Sequence, residues 1–441
     1  MSRRGAPALL LLAAAGAALA VAGLFLAPDA AAGRQVAATP SGRPGSGAPA
    51  PPTAPVPPGS PAVAYFDPGF LRKSAEYTRA QVTFLLNARA LRWAVYLTLL
   101  MTPLLARLAA RLERRLPGRR NAHVAAVSAA VLLVTFAALL PISFASGFVT
   151  EHRYGLSNET TAGWLADALK ALAIWGAVTC LLTVLYFALR RRMPRGGWAP
   201  FAAATVAAVV IGVFVVPVVV DPLFYRFRPL ADPTLRRDLV AMAAREGILI
   251  DRVLVMEASA KTVRENAYFT GLGRTKRVVL YDNLLEHASP AEVRQVFAHE
   301  LGHWSRGHIT RGLVLAAVTI PLAAWLLWTL HGRLARWPRF GLDGPADPAG
   351  IPLVWLLLSV GLFVAAPIEH VVSRSFEREA DRVSLELTGD PETFIQGERR
   401  MAVNNLTSVD PPRLLKWLFW THPTTLERIH AAEAWRKGGA G

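Results

Sequence analysis

The 441 residues carry a formal charge of +17, are 53% hydrophobic and include a single cysteine, Cys180. One cysteine excludes an intramolecular disulfide and a cysteine-rich metal centre, and Cys180 reads as a small apolar residue inside a hydrophobic run. So basic a soluble chain would point to nucleic acid, but these arginines crowd short loops beside long apolar runs. That excludes a nucleic-acid partner and marks a polytopic helical membrane protein in contact with lipid headgroups. Arg in excess of Lys, with abundant Ala, is what a GC-rich genome produces and points to a bacterial plasma membrane.

Seven stretches are long and apolar enough to cross about 30 Å of hydrocarbon: 8–27, 93–108, 124–144, 164–189, 198–220, 312–330 and 351–372. The first follows Arg3 and Arg4 and is read as a membrane helix or a cleaved signal peptide. Residues 33–61 are rich in Pro, Gly, Ala and Ser, cannot bury a core and are expected to form a linker. An approach helix then leads to the spans over 89–220. Asp167 and Lys170, the main charges inside a span, lie in its first two turns and can snorkel.

The largest polar block, 221–311, is the expected soluble domain, and the block 373–441 would complete it after two further spans over 312–372. Inside the first block 235–246 reads as an amphipathic helix, 252–256 and 277–281 as strands, and 290–307 as a helix. Ser289 is its N-cap, Pro290 opens the first turn and Glu292 stands at N3.

That last helix contains His299-Glu300-Leu301-Gly302-His303. Histidines four apart lie one above the other on one helical face, so both imidazoles can reach one metal, with Glu300 on the flank where an activated water would sit. A catalytic zinc needs a third protein ligand and an open position. The best supplier is Glu377, in the run Ser373 to Asp381. Asp381, one turn further on, can accept a hydrogen bond from the free ring nitrogen of a zinc histidine, while Glu379 points elsewhere. Alone, this run is an ordinary charged helix on a membrane surface. His308, Glu369 and His370 read as helix-end or packing residues.

Several ordered motifs then give the chain a family likeness. It resembles the integral-membrane CAAX prenyl proteases of type 1 and their HtpX-like bacterial relatives, from about residue 141 to 429. The likeness rests on the H-E-x-x-H segment, on Glu377-Arg378-Glu379-Ala380-Asp381 and on Asn266-Ala267-Tyr268-Phe269-Thr270-Gly271. Segments 148–156, 221–224, 281–285 and 421–428 add to it; before residue 141 the similarity is in hydropathy only.

The resemblance implies a mainly α fold: a seven-helix transmembrane barrel or bundle around a water-filled chamber, with a zincin-like metalloprotease domain containing a small β-sheet. It implies one Zn2+ per chain held by His299, His303 and Glu377, with Glu300 as general base. Asn266 and Ala267 would belong to the edge strand that pairs with an extended substrate. His422 resembles a family histidine near the zinc that stabilises the oxyanion, its competing reading being a polar surface residue ahead of Pro423.

The expected activity is therefore endopeptidase cleavage of a peptide or protein admitted to the membrane chamber. Two alternatives stand beside CAAX-like processing: an HtpX-like protease of membrane-protein quality control, and a scaffold or transporter carrying an inactive protease-like site. Loop charge and family likeness imply opposite orientations. Arginines at 107–120, 190–195 and 333–339 mark three loops as cytoplasmic and put the metal domain outside, whereas the family likeness puts it on the cytosolic side.

Overall fold

The computed structural model describes residues 57, 59–250, 252–271 and 276–438. The expected first span, 8–27, and almost all of the 33–61 linker lie outside the described residues. Among the described residues six helices are long and apolar enough to cross a membrane.

The first of these, α1 (Pro68–Met101), starts on a cap: Asp67 accepts from the N–H groups of Gly69 and Phe70, with Pro68 in the first turn. It ends before Thr102-Pro103, because a proline disfavours helical backbone in the residue ahead of it. The expected span 93–108 is therefore divided between α1 and a short helix, α2 (Leu104–Arg115), whose last turn carries Arg114 and Arg115. The spans α3 (Arg120–Phe144), α4 (Thr161–Arg192) and α5 (Trp198–Val215) follow. Pro141 and Pro217 remove backbone donors, and at these places α3 and α5 run on through π-helical turns, Ala145–Thr150 and Val216–Val220.

The polar block forms a four-stranded mixed sheet in the order β1-β2-β4-β3. It is built from β1 (Phe227–Pro229), β2 (Val253–Met256), β3 (Ala267–Thr270) and β4 (Arg277–Tyr281). Strand β4 is central, parallel to β2 and antiparallel to β3. The expected strands 252–256 and 277–281 are β2 and β4. Strand β1, only three residues long, gave no periodic signal.

Helices α6 (Pro233–Arg245), α7 (Asp282–His287) and α8 (Pro290–Ser305) accompany the sheet, and Ser289 and Glu292 form a reciprocal capping box on α8. Leu239, Val255, Leu280, Leu284, Phe297 and Leu301, all fully buried, make the core between sheet and helices.

Gly307, at φ 64°, ends α8 in the left-handed conformation and turns the chain into the span α9 (His308–Leu334). The last span, α10 (Ile351–Thr388), continues unbroken from the membrane into the soluble part. It is followed by α11 (Pro391–Asn404), α12 (Arg413–Phe419) and α13 (Thr425–Gly438). Much of each span's surface is left uncovered by the rest of the chain.

The helix reversals at 193–197 and 335–350, together with α2, gather the arginine-rich loops at one end of the spans. The sheet, α8 and the soluble end of α10 lie at the other end.

Candidate active site

Two helices make the centre. Helix α8 packs along α10, and the fit depends on two small residues. A Cβ on Gly302 would come to 2.9 Å from Ala380 Cα and 3.1 Å from Ala380 O, so only glycine lets the two backbones approach this closely. Gln295 and Ser384 lock the register: Gln295 Nε2 donates to Ser384 Oγ at 2.9 Å, and Ser384 Oγ donates to Gln295 O at 2.7 Å.

This packing brings His299, His303 and Glu377 together. His299 Nε2 and His303 Nε2 are 3.2 Å apart, and carboxylate oxygens of Glu377 lie 3.3 Å and 3.5 Å from them. Tetrahedral ligands at about 2.0–2.1 Å from zinc stand about 3.3 Å from one another, so the triangle has the spacing of a catalytic zinc site. Glu377 Oε2 is buried and has no hydrogen-bond partner, as expected of an oxygen reserved for a cation. The two histidines and one carboxylate are a donor set that suits zinc.

The outer contacts hold each ligand in one orientation. Asp381 Oδ1 lies 2.8 Å from His299 Nδ1, and Arg428 pairs with Asp381 while its Nη1 lies 2.6 Å from Glu398 Oε1. His303 Nδ1 lies 3.0 Å from His308 Nδ1, whose Nε2 is 3.2 Å from Glu379. With His303 Nε2 on a metal its Nδ1 must carry the proton, so His308 accepts there and donates onward to Glu379. Sequence reading left His308 as a packing residue and assigned no part to Arg428 or Glu398. His303 is only five residues from His308, but Glu379 is 71 positions from His308 and Arg428 is 47 and 30 positions from Asp381 and Glu398, and no local spacing announces those contacts.

Electrostatics follow from this crowding. Burial would depress the His299 imidazolium, but its bonds to Asp381 and Glu377 hold its pKa up at about 10, marking a place where positive charge is strongly favoured. Burial pushes the Glu300 carboxyl up, against the opposing pull of His303 and His299, which is the direction a general base needs. Burial pushes His422 down. Burial also raises Glu398 to about 7, with Arg428 pulling the other way.

Glu300 faces strand β3, whose outer edge is unpaired in the sheet: Phe269 N donates to Glu300 Oε2 at 3.1 Å. Ala267 N, two residues along the same edge, donates to Asn266 Oδ1 at 2.9 Å. The approach to β3 is pinned by Glu265, which pairs with Arg400 and accepts from Asn404 Nδ2 at 2.6 Å, and by Asn283, which donates to Thr262 O and Arg264 O at 2.7 and 3.0 Å. His422, from the loop before α13, brings Nε2 to 3.4 Å from Glu377 Oε1, with Thr421 Oγ1 2.8 Å from its Nδ1. His299, His303, Glu377, Asp381 and His422 thus lie together, with Glu300 between them and the edge of β3 that carries Ala267.

Substituting Gly302→Ala should disturb this centre without touching a ligand. Alanine improves helix propensity by about 1 kcal/mol. The backbone clash with Ala380 costs more, about 1–3 kcal/mol, because α8 and α10 must separate. The expected outcome is a lower unfolding temperature in detergent and metal affinity reduced by about tenfold or more, measured by competition with a chromogenic chelator. Unchanged metal affinity would show that the helix spacing does not set the site.

Comparison with known proteins covers most of the chain. Residues 229–436 match the family model described as peptidase family M48, and residues 54–226 match that of the CAAX prenyl protease N-terminal region with five membrane helices. The likeness therefore extends well ahead of residue 141, where legible motifs begin. The chain is 33% identical over 303 residues to the uncharacterized metalloprotease YhfN of Bacillus subtilis, covering 68% of this chain and 71% of that protein. It is 26% identical over 310 residues to CAAX prenyl protease 1 of Saccharomyces cerevisiae, covering 67% and 68%. The crystal structure of S. mikatae Ste24p shares the fold, with a TM-score of 0.73 at 24% identity over 87% of this chain and 93% of that one.

Proposed function

The chain belongs to the M48 peptidase family of CAAX prenyl protease-type membrane metalloproteases, and we propose that it is an endopeptidase using one zinc ion held by His299, His303 and Glu377. The observation that carries this reading is the triangle of donor atoms 3.2–3.5 Å apart with Glu300 beside it on the same helix. A zinc ion bound there would supply a water of near-neutral pKa and a polarised substrate carbonyl.

The protein's own groups do the rest. An extended peptide aligns against the free edge of β3, taking up the backbone groups of Ala267 and Phe269 and displacing the Asn266 side chain and Glu300 from them. Freed from Phe269, Glu300 accepts the proton of the attacking water and then delivers it to the leaving amine. His422, whose Nε2 lies 3.4 Å from Glu377 Oε1, would be at hand to hydrogen-bond negative charge developing on the substrate carbonyl. Asp381 and His308 keep the two zinc histidines in the tautomer that leaves Nε2 free.

Processing of a modified C-terminal tail is one use of such a site, in keeping with the CAAX prenyl protease relatives. The clustering of arginine loops at the end remote from the site favours a second use. If that end faces the cytoplasm, cytosolic tails cannot reach the site and exposed segments of membrane proteins can.

The purified protein in detergent should cleave an unfolded reporter, lose that activity on treatment with 1,10-phenanthroline and regain it with stoichiometric Zn2+. Full activity after the metal has been removed would overturn the proposal. A prenylated peptide and an unmodified membrane-protein segment, compared as substrates, separate the two uses.

A further inference from the structure

At the end of the spans remote from the metal centre, four arginines line one cavity of about 320 Å³: Arg120 at the start of α3, Arg190 and Arg191 at the end of α4, and Arg336 just beyond α9. The 28 residues from His308 to Arg336 put this cavity roughly 40 Å from the zinc ligands at 1.5 Å per residue.

The floor of the cavity is built rather than accidental. Arg190 is only 6% exposed, so it does not snorkel to water as a loop arginine would. Its guanidinium lies 4.2 Å above the Trp328 ring, Nη2 donates to Trp328 O at 2.6 Å and Nη1 to Pro194 O at 3.4 Å. Gly332 leaves the room this guanidinium occupies, since a Cβ there would overlap Nη2. Its Nε is buried and has no hydrogen-bond partner.

No carboxylate among the described residues answers this charge. Among the described residues none of the four arginines forms an ion pair: Arg191 donates to Asn121 Oδ1 and Arg336 to Gly332 O. Asp347, on the neighbouring loop, accepts from the backbone N–H groups of Asp343 and Ala349 at 3.0 and 2.9 Å. The first turn of α3, which Arg120 opens, has no side-chain cap. The exposed Trp337 and the partly exposed Trp198 place the cavity at the level of lipid headgroups.

From these observations we propose that the cavity binds a phosphate ester, its oxygens shared among the guanidinium groups of Arg120, Arg190, Arg191 and Arg336. Planar guanidinium forks match phosphate oxygens, a buried unpartnered donor requires an acceptor, and an anion removes the mutual repulsion of the cluster. The nearest source at this depth is the headgroup of an anionic phospholipid.

The test uses the full-length protein in detergent, with bound lipid read by native mass spectrometry. The probes are phosphatidylglycerol, a glycosyl diacylglycerol of the same chains that lacks phosphate, and soluble glycerol phosphate. The wild type should retain phosphatidylglycerol and release the phosphate-free lipid. The double variant Arg191→Gln/Arg336→Gln, altered at the mouth rather than the floor, should bind phosphatidylglycerol about tenfold or more weakly. Its thermal unfolding and metal content establish that it is folded. Displacement of the lipid by glycerol phosphate assigns a soluble ester as the ligand, and lack of displacement assigns the lipid. Equal binding by wild type and variant, or equal retention of the phosphate-free lipid, overturns the proposal.

Discussion

Replacing Glu300 by glutamine is expected to leave the metal in place and to slow peptide cleavage by about 10²–10⁴-fold. The amide keeps the size of the side chain and can still meet the edge of β3, but it cannot take a proton from water. Glu300 is not one of the three converging donors, so metal content measured on the purified variant should equal that of the wild type. The loss should appear in kcat, because proton transfer is a transition-state interaction and the β3 edge still holds substrate. Undiminished cleavage by Glu300→Gln would sink the mechanism, and loss of metal would make Glu300 a ligand instead of a base.

Glu377→Ala should have the complementary signature, loss of metal and loss of activity together. Removing the carboxylate leaves two histidines, and affinity should fall by more than the 10–100-fold typical of changes in outer contacts of a metal site. Glu377 is nearly buried, its side chain 9% exposed, and it faces His299, His303 and His422, so the variant also leaves those rings without their common acceptor. The measurement is a zinc titration against a competing chelator, with cleavage assayed at saturating zinc. If affinity is unchanged, another acid must be the third ligand, and Glu379 would be the next to test. Its pairing with Arg311 and His308 already sets it apart from the triangle.

The motif residues were legible because helical periodicity is a local property. A spacing of four puts His299 and His303 on one face, and the same rule puts Glu377 and Asp381 on one face of α10. Ser289 and Glu292 announced the start of α8 for the same reason, since capping involves only neighbours along the chain. The division of the expected 93–108 span shows the limit of hydropathy: apolar composition runs across Thr102 and Pro103, but helical backbone does not. Strand β1 was invisible because three residues carry too little pattern to register, and it exists through its pairing with β2.

By itself, then, the sequence determined what depends on residues close together along the chain: the apolar runs, the helix that carries His299, Glu300 and His303, and the short segment that carries Glu377. Tertiary structure decided what depends on approach between distant segments. The packing of Gly302 on Ala380 sets the distance between the two halves of the metal site. The reach of Arg428 to Asp381, of His308 to Glu379 and of His422 to Glu377 fixes the ring orientations and local charge. The convergence of Arg120, Arg190, Arg191 and Arg336 on one cavity is of the same kind. Such contacts arise because burying apolar helix faces leaves few ways to pack them, and the positions of the polar groups follow from that packing.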